Sequence, residues 1–274
     1  YWKAPSAGSQ NVLARFGDAG KVAAECDVTV AVLGINKSIE REGQDRFSLE
    51  LPVDQQEFIK ELYKVNPNTV VVLVAGSSMA VNWMDENVPA ILNAWYPGEQ
   101  GGNAVAEVLF GDYNPGGRLP LTYYNSLDEI PAFDNYSVKG RTYQYFEGQP
   151  LYEFGYGLSY TKFRYKSKGV NVEQDTVKVS FEVSNTGKYD GDEVAQVYVK
   201  YPETGTYMPL KQLHGFKRVH IKKGKTSKVT IGVPKKDLRY WDEQERKFVT
   251  PKGEYTFMVG ASSEDIKFRE TVGL

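Results

Sequence analysis

The chain has 274 residues, 41% apolar and 25% charged, which is enough for two domains with packed cores. A net charge of −2 with no basic cluster argues against a nucleic-acid partner, and no run reaches the roughly eighteen apolar residues that would mark a membrane span. A single cysteine, Cys26, excludes an internal disulfide framework, and no Cys/His cluster has metal-ligand spacing, so neither a metal nor another cofactor is expected.

Taken in order, residues 1 to 163 alternate strand and helix signals. Asp18 can cap a short helix through Glu25, with Val22 and Cys26 four apart on an apolar face, so Cys26 is expected to be a core thiol. The run Val28–Leu33 reads as a buried strand ending in Gly34. A charged loop follows, and Pro52 suits the start of a helix over 53–65. That helix places Phe58, Ile59 and Leu62 inward and Gln55, Glu57 and Lys60 outward. Thr69–Val74 is a second buried strand, 79–84 a helical segment, Ala90–Trp95 a third strand, and Gly101–Phe110 a helix stopped by Gly111. Repeated strand–helix units predict an α/β sandwich: a mostly parallel sheet with helices on both faces.

After Phe163 the period changes to two. Val177, Val179, Phe181 and Val183 point one way, as do Ala195, Val197, Val199 and Tyr201, then Val229, Ile231 and Val233, then Tyr255, Phe257 and Val259. Such spacing predicts an all-β antiparallel sandwich of immunoglobulin or fibronectin III type over 164–274. Its two histidines, His214 and His220, read as ordinary strand or turn residues. The sandwich reads as a scaffold, with a carbohydrate-binding face as the alternative.

The loop after the first strand carries most of the chemistry: Ser38-Ile39-Glu40-Arg41-Glu42-Gly43-Gln44-Asp45-Arg46. A carboxylate pair leaving the end of a buried strand lies where open α/β sheets keep their sites. Asn36-Lys37-Ser38 lacks the glycine that a phosphate loop needs ahead of its lysine, so nucleotide binding is disfavoured. Glu99 can simply complement the following helix dipole.

The segment Glu42-Gly43-Gln44-Asp45-Arg46, followed by Leu51-Pro52 and Gln55-Gln56, resembles the acid/base loop of glycoside hydrolase family 3. Residues 38–46 as a whole resemble its β-xylosidase branch. Trp95-Tyr96-Pro97-Gly98-Glu99-Gln100-Gly101-Gly102, Phe110–Pro120, Gly140–Phe146 and Phe154–Thr161 resemble later segments of the same family. Gly191–Val199 and Leu213–Val219 resemble the fibronectin type III-like domain that ends many members.

The resemblance implies a C-terminal α/β sandwich domain over 1–163, a fibronectin type III-like domain over 164–274, and a retaining exo-β-glycosidase. Such enzymes use two carboxylates. By resemblance the nucleophile is an aspartate on an N-terminal (β/α)8 barrel, which these residues do not include, and the proton donor is Glu42, with Glu40 as the alternative. The expected partners are that barrel and an oligosaccharide, with no nucleic acid and no membrane. A β-xylosidase releasing xylose from non-reducing ends is the first expectation, a β-glucosidase the second, and a non-catalytic binding or scaffold fragment the third. Asp45 and Arg46 are expected to pair and hold the loop. The chain opens Tyr1-Trp2-Lys3, with no signal peptide to read, and an extracytoplasmic setting follows from the resemblance alone.

Overall fold

The computed structural model describes residues 9–274, with side chains from residue 17 onward, so the opening Tyr1-Trp2-Lys3 lies outside the described residues. The chain forms two compact units. One comprises the residues up to Ala106 together with Tyr123–Ile130, the other Glu107–Thr122 together with Pro131–Leu274.

In the first unit the order is α1 (Ser9–Ala24), β1 (Thr29–Gly34), α2 (Val53–Val65), β2 (Thr69–Val74), α3 (Asn82–Asn87) and β3 (Ala90–Asn93), and α4 (Gly101–Phe110) contains the chain boundary. The strands form a parallel sheet in the order β1-β2-β3, with Thr29 opposite Thr69 and Gly34 opposite Val74. Central β2 is covered on both faces, with Val71, Val72 and Leu73 at most 2% exposed. Its β-branched run follows from that position, since a strand buried on both sides has no polar face.

Several expectations need correction. β1 is an edge strand, and Val30 and Val32 are exposed, so it is buried on one face only. Asp18 lies within α1 and does not cap it; its carboxylate faces Lys21 at 3.5 Å. Cys26 is exposed because α1 stops at Ala24, and the buried contact there is Ala23. The Asn66 side-chain amide closes that corner by donating to the carbonyls of Ala23 (3.0 Å) and Cys26 (2.8 Å). The helix expected over 79–84 begins at Asn82, and Met79–Val81 is buried non-helical chain, Ala80 bridging to Glu50. β3 ends at Asn93, because Trp95 takes a left-handed φ of 55° that no strand continues.

The second unit carries the short α5 (Thr142–Tyr145) and then β4 (Phe163–Val172), β5 (Thr176–Asn185), β6 (Gly191–Lys200), β7 (Gln212–Ile221), β8 (Thr226–Pro234), β9 (Tyr240–Asp242), β10 (Lys247–Val249), β11 (Glu254–Gly260) and β12 (Ile266–Gly273). Sheets β12-β11-β6-β7 and β4-β5-β8 are antiparallel, and β9 pairs with β10. Every inward residue named from the alternation, from Val177 through Val259, is buried in one core. β6 departs from simple alternation: Gln196 and Tyr198 are buried on its other face, where Gln196 donates to the carbonyls of Gly155 (3.1 Å) and Ala261 (2.5 Å). Residues 107–122 join this unit through Arg118, whose guanidinium meets the buried Glu193 carboxylate at 3.2 Å, and through the Asn114 amide on the Asp190 carbonyl at 2.8 Å.

Candidate active site

Three loops leave the carboxyl ends of β1, β2 and β3, the edge at which parallel α/β sheets assemble their sites. The root of the first loop is fixed at Gly34. A Cβ there would lie 1.8 Å from the Val74 carbonyl oxygen, so only glycine permits the approach of β1 to β2. Gln55, in the first turn of α2, then clamps the same residue from both sides. Its Oε1 accepts from the Gly34 N–H and its Nε2 donates to the Gly34 carbonyl, each at 2.8 Å. Gln55 therefore faces the strand end, not solvent as its helical position suggests.

Beyond Gly34 the Asn36 side chain accepts from the N–H and the hydroxyl of Ser38, turning the chain outward. Arg41-Glu42-Gly43-Gln44 is a tight turn in which Arg41 and Gln44 exchange both backbone hydrogen bonds (3.1 and 2.9 Å). Gly43, with φ 73°, occupies the position where a left-handed residue is required. Glu42 is the other central residue of this turn. Its side chain is exposed and, among the described residues, it makes no ion pair or side-chain hydrogen bond.

Glu40 is placed quite differently. Its Oε2 accepts from Arg46 Nε at 2.8 Å and from the Ser77 hydroxyl at 2.6 Å. Arg46 is 9% exposed and also donates to the Ser78 carbonyl (2.6 Å) and toward the Met79 sulfur (2.8 Å). Burial holds its guanidinium below the usual value, even though the Glu40 carboxylate pulls the other way. The pairing of Asp45 with Arg46 expected from the sequence is thus replaced by Glu40 with Arg46, because the Arg46 side chain turns inward to the β2 loop. The loop is tied to the sheet through Glu40, and Glu42 stands clear of that tie.

Sequence reasoning missed Gln55 and Ser77 as parts of this arrangement. Gln55 had a signal in its place just after Leu51-Pro52, whereas a serine after a strand carries none. Glu99 is exposed ahead of α4. Both histidines lie on β7, His214 against the Tyr201 hydroxyl (2.8 Å) and His220 against Asp192 (2.7 Å).

A family profile described as the glycosyl hydrolase family 3 C-terminal domain matches residues 3–160, and a fibronectin type III-like domain profile matches 193–263. The chain is 43% identical over 225 residues to a xylan 1,4-beta-xylosidase of Xylanibacter ruminicola, covering 81% of this chain and 26% of that protein. It is 38% identical to a beta-glucosidase of Kluyveromyces marxianus, covering 91% of this chain and 31% of the relative. A beta-xylosidase of Formosa agariphila is also 38% identical, with 92% and 36% covered. The crystal structure of the Kluyveromyces beta-glucosidase in complex with glucose superposes with a TM-score of 0.88 at 36% identity, over 95% of this chain and 33% of that one. The chain thus spans only 26% to 36% of the length of these curated relatives. With one profile covering more than half of its residues and such relatives matched along most of its length, the chain belongs to glycoside hydrolase family 3.

Proposed function

We propose that the chain is the C-terminal part of a retaining exo-β-glycosidase and that it supplies Glu42 as the general acid/base. The observation that carries this reading is the contrast between the two carboxylates. Glu40 is engaged by Arg46 and Ser77, whereas Glu42 is exposed and unpaired among the described residues, at the tip of a turn whose root is clamped. A general acid must hold a proton and deliver it to the leaving oxygen, then take one back from water. Its contacts with Arg46 and Ser77 suit Glu40 to anchoring and leave the proton work to Glu42.

The second carboxylate, about 5–5.5 Å away in a retaining mechanism, would be an aspartate on a (β/α)8 barrel of the same protein. We therefore expect no turnover from these 274 residues alone. β-Xylosidase activity, releasing xylose from non-reducing ends of xylo-oligosaccharides, is the preferred reading. It is supported by residues 38–46 and by the 43% identity to the Xylanibacter enzyme. A β-glucosidase is the second reading, favoured by the similarity to the Kluyveromyces enzyme.

A domain division near 163/164 is supported by the first profile ending at 160. An extracytoplasmic setting is supported by a relative named a periplasmic beta-glucosidase. No helix among the described residues is long and apolar enough to cross a membrane.

The test is made in the full-length enzyme. Glu42→Ala should lose about 10²–10⁴-fold on unactivated xylobiose or cellobiose and far less on aryl glycosides whose leaving group needs no proton. Equal losses on both substrate types would remove Glu42 from the role.

A further inference from the structure

We propose that the second unit carries a separate, non-catalytic binding site for a β-linked oligosaccharide, centred on Trp241. The identity of the sugar rests on the glycosidase reading above, whereas the existence of the site rests on the geometry of this unit alone. A concavity of about 490 Å³ opens between the loop after β6, α5 and the β9 strand. That volume falls within the roughly 300–1,000 Å³ of small-ligand sites.

One wall is a rigid aromatic stack. Tyr145 and Tyr207 lie nearly parallel with centroids 5.4 Å apart, and the Lys139 ammonium sits 4.7 Å above the Tyr207 ring. Tyr145 and Lys139 both pack on Tyr207, which is 47% exposed and forms this wall with them. Trp241 is the free platform. It is 49% exposed and meets Phe248 at 73° with centroids 5.3 Å apart, so about half of its surface is open.

The polar groups around it are those that would read hydroxyls. Gln144 and Gln212 border the cavity, and Gln212 is oriented by the Tyr201 hydroxyl, which donates to its Oε1 at 3.0 Å. The Glu243 carboxylate is exposed at the rim and unpaired among the described residues. Arg239 is held at its Nε by the Lys236 carbonyl, so its two terminal nitrogens remain to donate. A pyranose ring presents axial C–H bonds on its faces and hydroxyls around its edge. Its face fits the indole, and its hydroxyls fit amides, a carboxylate and a guanidinium placed around that plane. The cavity offers both signs of charge together with neutral amides, which favours a neutral, many-hydroxyl ligand over an anion or a cation.

The test is calorimetric titration of the 274-residue chain, and of the full-length enzyme carrying Glu42→Gln to stop turnover, with xylotetraose and cellotetraose. Saturable binding by both proteins is expected, with Trp241→Ala weakening it about tenfold or more and Trp241→Phe retaining part of it. Because Trp241 is half exposed, its replacement leaves the core intact, and an unchanged unfolding transition checks this. No saturable heat with either sugar, or equal affinity of the Trp241→Ala chain, overturns the proposal. Binding by the isolated chain that is lost in the full-length enzyme also overturns it, because the cavity would then be an internal surface. Failure of the acid/base reading appears as turnover by the full-length Glu42→Gln enzyme and leaves the titration of the 274-residue chain unchanged, so the two can fail separately.

Discussion

Replacing Glu40 by glutamine tests the assignment of an anchoring role to one carboxylate and a chemical role to its neighbour. The substitution keeps the shape of the side chain and removes its charge from the 2.8 Å contact with Arg46. At that distance and an effective dielectric near 20 the bare attraction is about 6 kcal/mol. Much of it is offset by the desolvation of Arg46, which is strong enough to hold its pKa down despite its partner. Glu40 is 25% exposed, so the pair lies between an exposed one, worth up to about 1 kcal/mol, and a fully buried one, whose breakage costs about 3–5 kcal/mol. Glutamine can still accept from Arg46 and Ser77, and the Ser78 carbonyl still holds the guanidinium. We expect a loss of about 2 kcal/mol in the unit that contains β1–β3. Urea unfolding followed by tryptophan fluorescence would measure it, with Glu42→Gln as the control expected to stay within about 0.5 kcal/mol of the parent. A Glu40→Gln protein as stable as the parent, or a Glu42→Gln protein equally destabilised, would refute the division of labour between them.

Gly34→Ala should be among the most damaging single changes in the first unit, because its methyl group would overlap a backbone oxygen that has no rotamer to escape into. A loss of about 3 kcal/mol or more, or failure to fold, is expected in the same unfolding assay. Asp192 supplies a pH test in the second unit. Burial raises its pKa, but hydrogen bonds from His220 and Arg218 outweigh burial and leave it below the ordinary carboxylate value. Its contribution to stability is therefore present above the unfolded value of about 3.9 and is lost as pH falls through the lower folded value. Asp192→Asn should flatten that part of the acid limb of a stability–pH profile.

The fold was legible where one physical pattern dominated. Alternation along β5, β6, β8 and β11 placed most of the sandwich core, since a half-buried strand must alternate, and missed Ile221 and Leu238, which lie outside those four strands. The apolar run of β2 likewise gave a covered central strand. β1 carries the same kind of run yet lies at the sheet edge, because composition reports how apolar a strand is and not where the sheet ends. Cys26 was misplaced by assuming that the helix continued two residues past Ala24. In the site, the type of residue and the loop were visible from the sequence, but the partners were not. Which of Glu40 and Asp45 would meet Arg46 depends on a side chain turning inward toward Ser77 and Ser78, more than thirty positions away in sequence. Gln55 posed the opposite problem, since a polar residue on a helix normally points out.

The two-sided grip of Gln55 on Gly34 acts entirely through main-chain atoms at the base of the loop. What holds the base is thus indifferent to the side chains farther along, at Lys37 or Arg41. Those positions form an exchangeable cassette on a fixed mount. Variation there would change the tip without disturbing the sheet beneath it.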